Sequence, residues 1–189
     1  MSLTLLLILL CTAASFWAWR QDPHTAWSQW GFSPYRIRFY KEWYRFLTSI
    51  FFHMDLMHLL LNAIVFYSFG TFVERVYSPG AYLLLLLIGA LGSGAMTYWR
   101  YHQNPHHLSI GLSGVVNATM FAFILNHPQA TLLVFFVLPM PAWLFALLYL
   151  AYSFYEGQQG RGLVNHWAHL GGALGGMIFA LLVSEHASF

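Results

Sequence analysis

The sequence predicts an all-α membrane protein with six transmembrane helices, and three observations lead there. Hydrophobic residues fill 59% of the 189 positions and charged residues only 7%, against about a quarter charged in soluble domains. The apolar residues gather into six runs separated by short connections marked by proline, glycine or polar residues. No stretch shows the apolar-polar alternation of a half-buried strand. A net charge of +2 resting on so few ionised groups points to no nucleic-acid partner. The lone Cys11 has no partner for an internal disulfide.

A crossing needs about 20 apolar residues, which places spans at about 3–19, 53–73, 80–99, 113–127, 130–152 and 166–184. The first, LTLLLILLCTAASFWAW, lacks the basic start of a secretory signal. It ends in Trp17 and Trp19, which suit an interfacial anchor, so it reads as a retained helix. Residues 20–46 interleave Trp27, Trp30, Tyr35, Tyr40, Trp43 and Tyr44 with Arg36, Arg38, Lys41 and Arg45, a mixture suited to the headgroup layer. The second span carries His58 and Asn62, four residues apart and therefore on one helical face.

The fourth span is short. Ser113 to His127, before Pro128, is 15 residues, or roughly 22 Å of helix against about 30 Å of hydrocarbon. If the far end reaches one surface, Ser113 stops below the other, and the connection 100–111 must descend to meet it. Such backbone is tolerated only where protein or a water-filled cavity surrounds it. The fifth span, 130–152, leads into a connection over 153–165 whose Gly157, Gly160 and Gly162 are candidate hinges for opening the site. The sixth places His169, Gly172 and Gly176 on one face, with Gly171 and Gly175 forming an overlapping small-residue pair that lets helices approach closely in lipid. Each polar residue also has a purely structural reading. Ser113 can cap its helix, His169 can be a hydrogen-bonded structural histidine, and His58 and Asn62 can join helices.

Taken together, GLSG opening a short span, HLLLN in an earlier span and AHLGGALGG in the last resemble the rhomboid family of intramembrane serine proteases. EWYRFLTSIFFH before the second span and FVERVY after it look like that family too. The similarity covers about residues 42 to 184 and implies one membrane domain over 1–189. It implies Ser113 as nucleophile and His169 as general base, a dyad that needs no carboxylate. His58, Asn62 and the Ser113 N–H would stabilise the oxyanion. Gly111 and Gly114 would give substrate access to the nucleophile, with Asn117, Gly172 and Gly176 in support. The same resemblance implies no metal and no cofactor. It implies single-span or other membrane proteins as substrates within the lipid bilayer, and a bacterial inner membrane with the site opening to the extracytoplasmic side.

The sequence departs from the family's pattern in two places. Four residues after the serine many rhomboids carry a tyrosine that packs on the catalytic histidine, whereas this chain has Asn117, which either hydrogen-bonds His169 or leaves it poorly oriented. The adjacent Trp-Arg pair of the first long loop is replaced by Trp43 and Arg45 with Tyr44 between them. No soluble domain precedes the first span in this sequence. Orientation gives conflicting signals: cytoplasmic termini put Arg20, Arg36, Arg38, Lys41, Arg45, Arg100 and Arg161 outside and only Arg75 inside, the reverse of the positive-inside rule. Three other functions compete. One is a rhomboid-like protein that escorts clients without cutting them, and another a sorting rhomboid that trims C-terminal tails. The third is a metal site using His166 and His169, His53 and His58, or His106 and His107, which lacks HExxH and nearby carboxylates other than Glu156.

Overall fold

Capping residues start most of the long helices of this chain. Ser2 Oγ accepts from the Leu5 N–H at the start of α1 (Leu3–Trp19), and Asp55 accepts from His58 at the start of α5 (Leu56–Val76). Ser78 accepts from Ala81 at the start of α6 (Pro79–Tyr101), and Asn165 accepts from Ala168 at the start of α9 (His166–Leu182). Each satisfies a first-turn N–H that has no partner within the helix. Between α1 and α5 run α2 (Pro23–Trp30), α3 (Pro34–Tyr40) and α4 (Arg45–Thr48), and after α6 come α7 (Ser113–Asn126), the strands β1 (Thr131–Val134) and β2 (Leu138–Pro141), and α8 (Ala142–Gln159). The computed structural model describes residues 2–135, 137–160 and 162–183. Arg161 and the last residue of the expected sixth span lie outside them.

The fold is mostly helical, as expected. Helices α5 and α6, of 21 and 23 residues, are long and apolar enough to cross a membrane, while α1, α7 and α9 are apolar but shorter. The fifth expected span, 130–152, and the expectation of no strands are both corrected. Thr131–Val134 and Leu138–Pro141 pair as antiparallel strands, with Thr131 facing Pro141 and Val134 facing Leu138. Pro139 and Pro141 explain the break, since proline donates no helical N–H and disfavours the α conformation in the residue before it. The helix therefore begins at Ala142 and runs on to Gln159, absorbing much of the connection expected over 153–165. Gly157 lies inside it, and Gly160 ends it in the left-handed conformation at φ 62°.

Three helices pack backbone against backbone. A Cβ on Gly172 would run into the Gly114 carbonyl, and one on Gly176 into the Ala118 carbonyl, both on α7. On the other side of α9, Gly171 faces the Gly92 carbonyl and Gly175 faces Ile88, both on α6. Helix α7 is thereby enclosed, with ten of its fourteen residues buried.

The 20–46 segment is a folded plate rather than an open loop. Arg45, only 1% exposed, donates to the carbonyls of Gly31 at 2.5 Å and Ser28 at 2.9 Å, and to Glu42 at 2.6 Å. Arg36 grips the same carboxylate at 2.8 and 2.7 Å. Hydrogen bonds from Arg36 first, then Arg45, hold the Glu42 carboxyl down at about 2, against the opposing cost of desolvation. Phe39, Tyr40 and Trp43 of this segment remain exposed.

Two outcomes test this packing. Gly176→Ala pushes α9 off α7 and should cost about 1–3 kcal/mol, read as a lowered thermal midpoint in detergent. Gly80→Ala, whose Cβ meets nothing within 4 Å, should leave it unchanged. Glu42→Gln should destabilise the protein at neutral pH. Because the folded pKa is depressed, the stabilisation exists above the free carboxylate value and fades as pH falls toward about 2. The melting curves of wild type and variant should therefore converge in that acid range.

Candidate active site

On the approach to Ser113 the amides of Ser109, Gly111 and Leu112 each find an acceptor. Phe32 and Ser109 exchange hydrogen bonds at 2.8 and 3.0 Å, and the Gly111 N–H donates to the Ser49 carbonyl at 3.0 Å. The Leu112 N–H donates to His53 Nε2 at 3.3 Å. Because Nε2 accepts there, the neutral ring carries its proton on Nδ1, which faces Ser15 Oγ at 3.1 Å. His53 is fully buried. Gly111 turns the chain at φ 126°, and a Cβ there would press on the His58 ring; only glycine suits this conformation and this contact.

Ser113 is the first residue of α7, and no side chain caps that helix. Its Oγ lies 2.9 Å from His169 Nε2, across 56 residues of sequence, so the cap reading is not the one realised. His169 reaches it because Gly172, one turn further along α9, sits against Gly114. The other ring nitrogen, Nδ1, lies 3.1 Å from the Tyr149 hydroxyl on α8, with the two rings nearly parallel at 17°. The Val115 and Val116 amides both donate to the Leu112 carbonyl, at 2.9 and 3.1 Å, whereas the amides of Ser113 and Gly114 begin the helix with no preceding helical carbonyl to meet, and the helix dipole adds partial positive charge there.

His58 and Asn62 face the same space. Met54 donates its N–H to His58 Nδ1 at 3.4 Å, which leaves the neutral ring's proton on Nε2, beside Gly111. Asn62 spends one amide hydrogen on the His58 carbonyl at 2.8 Å and has a second to offer. A cavity of about 460 Å³ is lined by Ser113, His169, His58, Asn62, Gly111 and Gly114 together. Gly172 and Gly176 stand behind it as spacers. Asn117 does not reach His169: its Nδ2 donates to the Ser113 carbonyl at 2.7 Å. Among the described residues no three His, Cys, Asp or Glu side chains converge to hold a metal ion.

Sequence reasoning missed two residues of this site. Tyr149 lies in an apolar run that reads as ordinary span, and nothing local marks it; the only hint is that Asn117 leaves the histidine without its expected aromatic neighbour. His53 drew attention only as a possible metal ligand, whereas it is the acceptor that fixes the turn into α7.

A family model described as the rhomboid domain matches residues 40–186. The chain is 35% identical over 143 residues to a RHOMBOID-like protein 12, mitochondrial, of Arabidopsis thaliana, covering 67% of this chain and 42% of that protein. It is 34% identical over 83 residues to rhomboid protease GluP of Bacillus subtilis, covering 44% and 16%. Its identity to rhomboid protease GlpG of Salmonella paratyphi A is 31% over 164 residues, covering 85% and 55%. The chain thus spans between 16% and 55% of the length of these relatives.

Removing the acceptor below the turn should be felt directly. His53→Ala leaves the buried Leu112 N–H unpaired, at a cost of about 1–3 kcal/mol, which thermal unfolding in detergent would register. A variant as stable as wild type would mean that Leu112 finds another acceptor.

Proposed function

This chain belongs to the rhomboid family of integral membrane proteins, and from that premise we propose that it is an intramembrane serine endopeptidase acting on membrane proteins through Ser113 and His169. The observation that carries the reading is the 2.9 Å contact between Ser113 Oγ and His169 Nε2 at the wall of a cavity. The contact fits a base that accepts the serine proton as Oγ attacks a peptide carbonyl. The tetrahedral oxyanion would be met by the Ser113 N–H, the His58 Nε2–H and the free amide hydrogen of Asn62. These donors are fixed in place before charge develops and are worth more where water is scarce. His169 then returns the proton to the leaving amine, and water attacks the acyl-enzyme by the same route.

The chain would cross the membrane six times, through α1, α5, α6, α7, α8 and α9. The three connections around the cavity, 20–55, 102–112 and 160–165, follow the first, third and fifth of these helices, so they share one side, and we take it to be extracytoplasmic. Access would come by movement of α8 and the short connection after it, which retains Gly160 and Gly162 at φ 62° and 82°. A peptide bond in a regular helix is shielded by its own hydrogen bonds, so the substrate must unwind locally, which favours helix-weakening residues near the cut. A role in escorting clients without cutting them would not require a serine and a histidine in hydrogen-bond contact.

Ser113→Ala and His169→Ala should each abolish cleavage, with the double variant no worse, because groups acting as one unit are non-additive and can each cost on the order of a millionfold. A fluorophosphonate probe should label Ser113, mapped by peptide mass spectrometry; an unlabelled wild type beside a reactive control protease would sink the hydrolase reading. Asn62→Ala should lower kcat by roughly 100-fold or less with little change in KM. In bilayers, a single-span substrate with Gly-Ser pairs in its outer third should be cut faster than one with a Leu/Ala helix there. Equal rates would refute selection by helix weakness.

A further inference from the structure

We propose that the groove between α1 and the segment Thr48–Phe52 binds a single phospholipid, with one acyl chain lying along α1 and the phosphate meeting Arg20. The site needs α1 in the bilayer, as the six crossings proposed above place it, and takes nothing from the peptidase reading.

The groove begins as a pattern in α1. Leu10, Ala13, Ala14 and Trp17 are spaced by three, four and seven residues and share one helical face, so the two alanines cut a notch between larger side chains. Small residues on such a face ordinarily let a second helix approach. Here Trp30, Phe51 and Phe52 stand opposite, and the notch is left open as a cavity of about 530 Å³, within the roughly 300–1,000 Å³ of ligand pockets. None of the described residues lining it is charged, and the Thr48 hydroxyl is spent on the Trp30 carbonyl at 2.7 Å. A water would find few partners there, whereas hydrocarbon fits.

The rear wall is built before any ligand arrives. On the neighbouring face of α1, Ser15 Oγ donates to the Phe51 carbonyl at 3.3 Å and Trp19 Nε1 to the His53 carbonyl at 2.9 Å. The Trp17 and Phe52 rings lie 6.4 Å apart. The groove is separate from the cavity of Ser113: Ser49 and Ile50 line that one, while Phe51 and Phe52 line this one.

Charge names the ligand. Arg20 comes three residues after Trp17 and seven after Ala13, which puts it on the grooved face at the end of α1, and it is exposed. Ion pairs among the described residues join Arg36 and Arg45 to Glu42, and none involves Arg20. The acid nearest in sequence, Asp22, accepts from the His24 and Thr25 amides and from the Thr25 hydroxyl. A guanidinium matches phosphate with charge-assisted hydrogen bonds, and the half-exposed Trp17 suits the headgroup level. Free phosphate would leave the groove empty, and an apolar helix would leave the cation unanswered. A phospholipid satisfies both, held by dispersion against fixed walls and by its phosphate.

The experiment takes the full chain in mild detergent and counts bound lipid by native mass spectrometry as palmitoyl-oleoyl phosphatidylglycerol is added. Wild type should carry one saturable phospholipid, and its thermal midpoint should rise by a few degrees, as for any ligand selective for the folded state. Glycerol phosphate, the headgroup chemistry without chains, should raise nothing. Ala13→Phe fills the notch and should lose the lipid. Arg20→Gln alters an exposed residue and should bind about tenfold more weakly, the loss of a charge-assisted hydrogen bond, while Gly80→Ala binds as wild type does. Wild-type binding in Ala13→Phe or in Arg20→Gln would overturn the proposal, as would a midpoint that glycerol phosphate raises equally. A homodimer in place of a lipid adduct, lost in Ala13→Phe, would give the groove to a second copy and overturn it too. Cleavage by Ser113 is read separately, so either proposal can fail while the other stands.

Discussion

The whole arrangement depends on α9 lying against α7 at a distance only glycine permits. Gly172 and Gly176 leave room for the carbonyls of Gly114 and Ala118, and such close approach is how helices gain contact energy in lipid, where burial of apolar surface adds little. His169 sits three residues before Gly172 on the same face. Its distance to Ser113 is thus set by two backbones rather than by a chain of flexible side chains. Gly171 and Gly175 repeat the device toward α6, so that α9 is wedged between two helices and has little freedom to slide.

A second constraint follows from the shortness of α7. At 14 residues, roughly 21 Å of helix, it is shorter than a hydrocarbon core of about 30 Å, and buried backbone leading to its N-terminus needs hydrogen-bond partners. Phe32, Ser49 and His53 supply acceptors for the amides of Ser109, Gly111 and Leu112. The 20–46 plate is therefore part of the site's foundation. Arg45 holds that plate together from within, spending its guanidinium on two carbonyls and a carboxylate. The outer edge of the cavity inherits its rigidity.

Much of this was legible in the sequence because lipid makes polar residues and glycines expensive or exceptional. Ser113, His169, His58 and Asn62 stand out against leucine, and the spacing of Gly172 and Gly176 names a helix face. What the sequence hid has a common cause. Tyr149 is amphipathic and passes for lipid-facing aromatic, and its role exists only once α8 is set beside α9. The strands Thr131–Val134 and Leu138–Pro141 are apolar but for Thr131, so hydropathy merges them with α8; only the prolines at 139 and 141 betray the break, and length alone overrode them. His53 is silent because its partner is a backbone amide, which no side-chain pattern reports.

Among the described residues no carboxylate hydrogen-bonds His169: its partners are a hydroxyl on either side. That choice bears on how such a chain is made. A helix carrying a buried Asp would meet an insertion penalty of about 3 kcal/mol at mid-membrane, whereas serine, tyrosine and neutral histidine let each segment partition into the bilayer one at a time during synthesis. The polarity of the centre stays dispersed over separate helices and is assembled only when they pack. Under the proposed protease reading, biogenesis and reactivity would thereby be separated in time, the newly inserted chain carrying no finished site until its tertiary structure is complete.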